Sequence, residues 1–143
     1  MTYFYDIVKW HETFGVPVGD KPTGHLRPDR LKLRWDIMEE EWNELLDAMI
    51  AEDAVEIADA CADLIVTVLG TAAEYGIPFD DVWTEVNRSN FAKLGPNGEI
   101  YRRKDGKIKK PPGWTPPNIA GILDGSYSPP VYASEILEEM RHG

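Results

Sequence analysis

With 143 residues, 43% of them hydrophobic, the chain suits one domain with a real core and is too small for two independent ones. Its net charge of -10 argues against a nucleic-acid polymer or an anionic membrane as partner, the more so because residues 101–110 carry a local +5 and leave -15 for the rest. A single cysteine excludes an intrachain disulfide, and the longest apolar stretch is interrupted by Gly70 and charged at both ends, so no membrane span is expected. With no signal peptide ahead of the first helix, the expected location is the cytoplasm.

In chain order, Tyr3, Phe4, Ile7, Val8, Trp10 and Phe14 recur at helical spacing up to Gly15 and predict an amphipathic first helix. Phe14 and Trp10 are either core or subunit contacts or a shelf on which a nucleobase stacks, and His11 beside them reads first as a polar contact. The segment from Gly15 to Pro28 is rich in Gly and Pro and long for a compact domain, which makes it a loop and a candidate lid over a site. Pro28 and Asp29 open the second helix, where Leu31, Trp35, Met38, Trp42, Leu45 and Met49 form an apolar band expected to face the core.

Asp53 caps a third helix that has almost no polar face, since Ile57, Cys61, Leu64, Ile65, Val68, Leu69 and Ala72 surround its axis. Such a helix is expected to be central, with Cys61 a buried structural thiol. Gly76-Ile77-Pro78 leads into a fourth helix whose inward side is Phe79, Val82, Trp83, Val86 and Leu94, with Asn90 in the middle of it. Short connections predict antiparallel packing and an all-α, four-helix bundle core over residues 1–123.

Past Gly95 the helical period stops. Residues 100–110 place Asp105-Gly106 between short alternating runs, which suggests a basic hairpin, either a solubility feature or an arm facing phosphates through Lys107 and Lys109. A Pro-rich stretch at 111–117 precedes a short turn around Asn118 to Leu123, and residues 124–143 form a tail with a last helix from about Ala133 to Arg141.

The chemistry-bearing residues are acids at helical spacing. Glu40, Glu41 and Glu44 border the apolar band of the second helix, and Glu56, Asp59 and Asp63 lie on one stripe of the third. A solvated charge run is the alternative for Glu39 to Glu44, but acids on a nearly apolar central helix are costly unless paired or bound to a cation. Two facing stripes would make a cage for one or two hard cations, with Mg²⁺ the expected ion and Mn²⁺ the alternative.

The pattern Glu40-Glu41-x-x-Glu44, then Glu56-x-x-Asp59 with Asp63 opening an aliphatic run, resembles the all-alpha nucleotide pyrophosphohydrolases, the superfamily of MazG-like proteins, dimeric dUTPases, dCTP pyrophosphatases and phosphoribosyl-ATP pyrophosphohydrolases. The likeness continues through Leu69-Gly70-Thr71-Ala72, Tyr75-Gly76-Ile77, Glu85 to Lys93, Asp105-Gly106-Lys107 and Gly113-Trp114-Thr115-Pro116-Pro117. One departure stands out: where many relatives have Glu three residues before the Asp of the aliphatic run, this chain has Ala60. Either Glu56 and Asp59 supply the second motif, or Asp63 does with Asp59 in place of the missing Glu. The resemblance implies metal-dependent release of pyrophosphate from a nucleoside triphosphate by a homo-oligomer, dimer or tetramer. It implies Glu41, Glu44 and some of Glu56, Asp59 and Asp63 as metal ligands, and Glu40 as the group that orients or deprotonates water. It also implies Asn87, Asn90 and Lys93 on the nucleotide, with a pyrimidine deoxynucleotide such as dUTP or dCTP favoured. The alternatives are phosphoribosyl-ATP as substrate and, because of Ala60, a non-catalytic helical interaction module.

Overall fold

The computed structural model describes residues 1–130, so the expected helix at 133–141 lies outside the described residues. The chain divides into two compact units, Met1–Phe79 and Asp80–Gly143. Among the described residues the regular elements are all helices: α1 (Tyr3–Phe14), α2 (Pro28–Ile50), α3 (Ala54–Glu74), α4 (Phe79–Phe91) and α5 (Ile119–Asp124). The all-α expectation is met.

Local chemistry sets the boundaries of the first unit. Thr2 caps α1 by accepting from the Tyr5 N–H, and Gly15 closes it at φ 70°, a left-handed conformation that suits a residue without Cβ. Pro28 starts α2, where its missing N–H costs nothing. Asp53 caps α3 by accepting from the N–H groups of Val55 and Glu56 at 3.1 and 3.2 Å. The link from α2 to α3 is so short that the two helices run antiparallel, and α3 also packs against α1. As expected, α3 is the central helix of this unit.

The register of α2 against α3 is fixed by charge. Glu74, its side chain 1% exposed, takes a fork of two 2.8 Å bonds from Arg30 and one of 3.0 Å from Nη1 of Arg34. Arg34 is itself buried and donates further to Thr71 Oγ1 and the Thr67 carbonyl. Gly70 lies beneath it: a Cβ there would stand 2.6 Å from Arg34 Nη2 and 2.8 Å from His11 Nε2. His11 is 2% exposed and its Nδ1 lies 3.0 Å from the Pro17 carbonyl, which can only accept, so Nδ1 carries the proton. His11 is thus the polar contact its sequence context suggests.

This arrangement corrects three expectations. Leu31, Trp35, Trp42 and Met49 are exposed, because the side of α2 turned to α3 carries Arg34, Glu41 and Ala48, seven residues apart, and leaves the aromatic band uncovered. Cys61 is exposed too, together with Ile65 and Val68, because α1 and α2 do not close around the whole circumference of α3. The loop after α1 is a strap and no lid: Gly19 and Thr23 donate to the carbonyls of Ala73 and Tyr75, and a Cβ on Gly19 would meet the Gly76 backbone at 2.6 Å. That strap sits at the C-terminal end of α3, about 16 Å along the helix from Asp63.

In the second unit Glu85 on α4 is 1% exposed and plays the organising part. Its carboxylate pairs with Arg88 at 2.9 Å and accepts from the Asn118 N–H at 3.0 Å and the Tyr127 hydroxyl at 2.8 Å, so segment 118–127, including α5, is tied to α4. The buried face of α4 is therefore Glu85 and Ser89, and Asn90 is exposed, contrary to its expected place on the inward side; its Oδ1 accepts from Lys93 Nζ at 3.0 Å. Residues 94–108 carry two isolated antiparallel bridges, Leu94 with Ile100 and Arg102 with Ile108, and the described residues contain no strand.

Burial opposes ionisation of Glu74, but the bonds and charges of Arg30 and Arg34 outweigh it and hold the carboxyl below the usual range. The stability it contributes is complete above the ordinary Glu range and is lost as pH falls through the lowered value. Glu74→Gln leaves Arg34 buried without its counter-charge, so unfolding by denaturant at pH 7 should show a loss of about 3 kcal/mol, and the acid limb of the stability curve should be shallower than in the wild type.

Candidate functional site

From the Arg34 contact, one heptad toward the C-terminus of α2 and about two turns back along α3 bring Glu41 and Asp63 to the same level. Glu44 is one turn further on α2, on the same side as Glu41. Oxygens of Glu41, Glu44 and Asp63 lie within 4.8 Å of one another. Glu41 and Asp63 are half-buried and Glu44 is exposed, so the group opens to solvent on one side.

Glu41 is the residue under strain. Its Oε2 is buried and has no hydrogen-bond partner among the described residues. Burial first, then the charges of Glu44 and Asp63, a side-chain hydrogen bond with Glu44 and the charge of Glu40, hold its carboxyl above the usual range. A buried carboxylate oxygen without a donor, facing two further carboxylates, is a costly arrangement for the empty protein and a favourable one around a divalent cation. The donor set is all oxygen, which suits Mg²⁺ or Mn²⁺ better than a thiophilic metal.

Of the other acids singled out from sequence, Glu40 is adjacent to this group and exposed, while Glu56 and Asp59 are exposed on α3 outside the trio. Glu56 has its backbone N–H in the Asp53 cap, at the start of the helix. Ala60 is 5% exposed, so the position of the missing Glu faces the packed interior. Two carboxylates from α2 and one from α3 are what this part of the fold brings together.

The remaining residues singled out lie on other elements. Phe14 is 66% exposed at the end of α1, with its ring 4.9 Å from that of Trp10 at a 31° tilt. In the second unit Asn87 Nδ2 donates back to the Trp83 carbonyl at 3.0 Å, and Lys93 is joined to Asn90. Lys107 and Lys109 are exposed on the basic segment. Sequence reading passed over Arg30, Arg34 and Glu74, which place the acids although they bear none of the chemistry; the available signal was the heptad repeat Arg34, Glu41, Ala48 on α2 and Ala60, Thr67, Glu74 on α3.

A raised carboxyl makes a checkable statement about metal-free protein. What Glu41 contributes is favourable below the ordinary Glu range and is lost as pH rises through its raised value, so ionised Glu41 weakens the empty fold at pH 7. Glu41→Gln in chelator should melt at or above the wild-type temperature. Added Mg²⁺ should raise the melting temperature of the wild type and leave the variant nearly unmoved. An equal Mg²⁺ shift in both proteins would remove Glu41 from the centre.

Residues 8–90 match the family described as phosphoribosyl-ATP pyrophosphohydrolase, a stretch that contains α2, α3 and the acidic trio and stops at Asn90, before Lys93 and the basic segment. The chain is also 33% identical over 82 residues to uncharacterized protein L479 of Acanthamoeba polyphaga mimivirus, covering 55% of this chain but only 33% of that relative's length. Since the family match takes in more than half of the chain, the protein belongs to the phosphoribosyl-ATP pyrophosphohydrolase family.

Proposed function

We propose that the chain is a Mg²⁺-dependent pyrophosphohydrolase, with Mn²⁺ as an alternative ion, that cleaves a nucleoside triphosphate to the monophosphate and pyrophosphate. The observation that carries this is the trio Glu41, Glu44 and Asp63 with its unpartnered buried oxygen, in a chain of this family. Glu41, Glu44 and Asp63 would hold the ion, with Asp59 and Glu56 in the other register of the second motif. Bound there, the ion supplies neutralisation of phosphate charge and polarisation of the reacting phosphoryl group. The protein's own groups do the rest. Glu40, exposed beside Glu41, takes the proton of the attacking water; the water oxygen bonds to the phosphorus nearest the sugar, and the bond to the bridging oxygen breaks so that pyrophosphate leaves.

Substrate contacts are assigned to Asn87, Asn90 and Lys93 for sugar, base and phosphate, to Lys107 and Lys109 for phosphate, and to Phe14 for the base. A pyrimidine deoxynucleotide such as dUTP or dCTP is the favoured substrate. The family match supports a second reading, phosphoribosyl-ATP, whose cleavage is the same reaction on a larger nucleotide. A non-catalytic helical module, suggested by Ala60, is the reading to be displaced. In this proposal the domain reaches residue 123, and further copies of the chain, in a dimer or tetramer, cover the exposed Trp35, Trp42, Ile65 and Val68. No described helix is long and apolar enough to cross a membrane, and a cytoplasmic nucleotide pool is the proposed setting.

Pyrophosphate release from a panel of dNTPs, NTPs and phosphoribosyl-ATP, with Mg²⁺ and with chelator, tests the reading. Chelator should abolish release, and Glu41→Gln and Glu44→Gln should lower it by orders of magnitude in folded protein. Asp63→Asn against Asp59→Asn decides the register: the α2–α3 geometry predicts the larger loss at Asp63. Full activity in both Glu variants, or no release from any compound, would defeat the proposal.

A further inference from the structure

The far side of the basic segment is tied back to the last turn of α4, and one side chain makes most of that tie. The chain leaves α4 after Phe91, and at the far side of the basic segment Lys110 lies over the Trp114 ring with Nζ 4.6 Å from the centroid. The Trp114 indole N–H in turn donates to the Ser89 carbonyl at 2.6 Å. That carbonyl is in the last turn of α4, where the Lys93 N–H goes to the Asn90 carbonyl instead, so Trp114 fills a helix-end acceptor. Arg88 reinforces the closure through the carbonyls of Thr115 and Pro116 at 3.5 and 3.3 Å.

Within the loop the cations divide into two groups. Arg103 pairs with Asp105, Arg102 donates to the Gly106 carbonyl, and Lys110 sits on Trp114. Lys104, Lys107 and Lys109 are exposed, and their ammonium groups make no hydrogen bond or ion pair among the described residues. The backbone bonds Arg103 N–H to the Lys107 carbonyl and Lys109 N–H to the Tyr101 carbonyl hold this stretch extended, so Lys107 and Lys109 project to the same side. Two unpaired lysines on one side of a closed loop make a preorganised anion site.

We propose that Trp114 is the positioning residue of an oligophosphate-binding loop, holding Lys107 and Lys109 in place from the end of α4. The inference rests on the pyrophosphohydrolase reading for its substrate, the triphosphate chain, but the loop's affinity for phosphate can be measured without turnover. Trp114→Ala removes both the ring under Lys110 and the bond to Ser89; Trp114→Phe keeps a ring and loses only the bond.

Calorimetry with inorganic tripolyphosphate in metal-free, low-salt buffer isolates the loop from the acidic trio, which repels phosphate without a cation. The wild type should bind, Trp114→Ala should bind about tenfold more weakly, and Trp114→Phe should fall between them and carry the test if the alanine variant does not fold. In the pyrophosphate assay the same variants should raise KM while kcat stays nearly constant, a split that simple loss of folded protein would not give. Tripolyphosphate binding that is absent in the wild type, or equal in the wild type and Trp114→Phe, overturns the inference. Binding that depends on Trp114 in a protein without turnover would leave the loop standing and remove only the enzymatic reading.

Discussion

A buried carboxylate held by two guanidinium groups is the constraint on which the first unit depends. Glu74 at the end of α3 takes all its bonds from Arg30 and Arg34, one turn apart on α2. Replacing such a cluster with apolar side chains often costs little stability, so its value is better sought in specificity than in strength. An apolar α2–α3 seam could slide by a turn with a modest change in buried area. A seam pinned by a bidentate Arg–Glu pair cannot, because a slipped register would bury unpaired charge. Gly70 belongs to the same constraint, since any side chain there would collide with Arg34 and His11.

The acidic trio follows from that register. Glu41 is one heptad beyond Arg34 and Asp63 lies about three turns before Glu74, so fixing the helices at one end aligns these carboxylates nearer the other. The two clusters have opposite electrostatic logic. Glu74 is satisfied and held below the usual carboxyl range despite its burial, while Glu41 keeps one buried oxygen without a donor and is held above that range by burial and like charge. A fold that fully neutralises one buried glutamate and leaves another facing two acids concentrates its electrostatic cost at a single place. That contrast is the physical argument for a cation at Glu41, and it does not lean on family membership.

Much of this was legible in the sequence, for reasons that vary by residue. Helix existence followed from periodicity and caps: Gly15, Pro28 and Asp53 all stand where their chemistry places them. Glu41 and Glu44 could be singled out because acids bordering an apolar band are costly, but the choice among Glu56, Asp59 and Asp63 depends on the helix–helix register, set by long-range contacts that local spacing does not encode. The misreading of Trp35, Trp42 and Cys61 as interior residues has one cause. Apolar periodicity reports which face of a helix is apolar, and it is silent on whether a neighbouring helix covers that face. The apolar Phe79, Val82 and Val86 point to an inner face of α4 that includes Asn90; the buried Glu85 and its Tyr127 partner, distant in sequence, rotate that face.

If the Arg30–Arg34–Glu74 register brings Glu41, Glu44 and Asp63 together to hold a divalent cation, the ion can be seen in place. A crystal soaked in Mn²⁺ and measured at a wavelength where manganese scatters anomalously locates that ion directly. The expected result is an anomalous peak coordinated by oxygens of Glu41, Glu44 and Asp63. A peak at Glu56 and Asp59 without Asp63, or none at millimolar Mn²⁺ in crystals whose acidic trio is open to solvent, would contradict it.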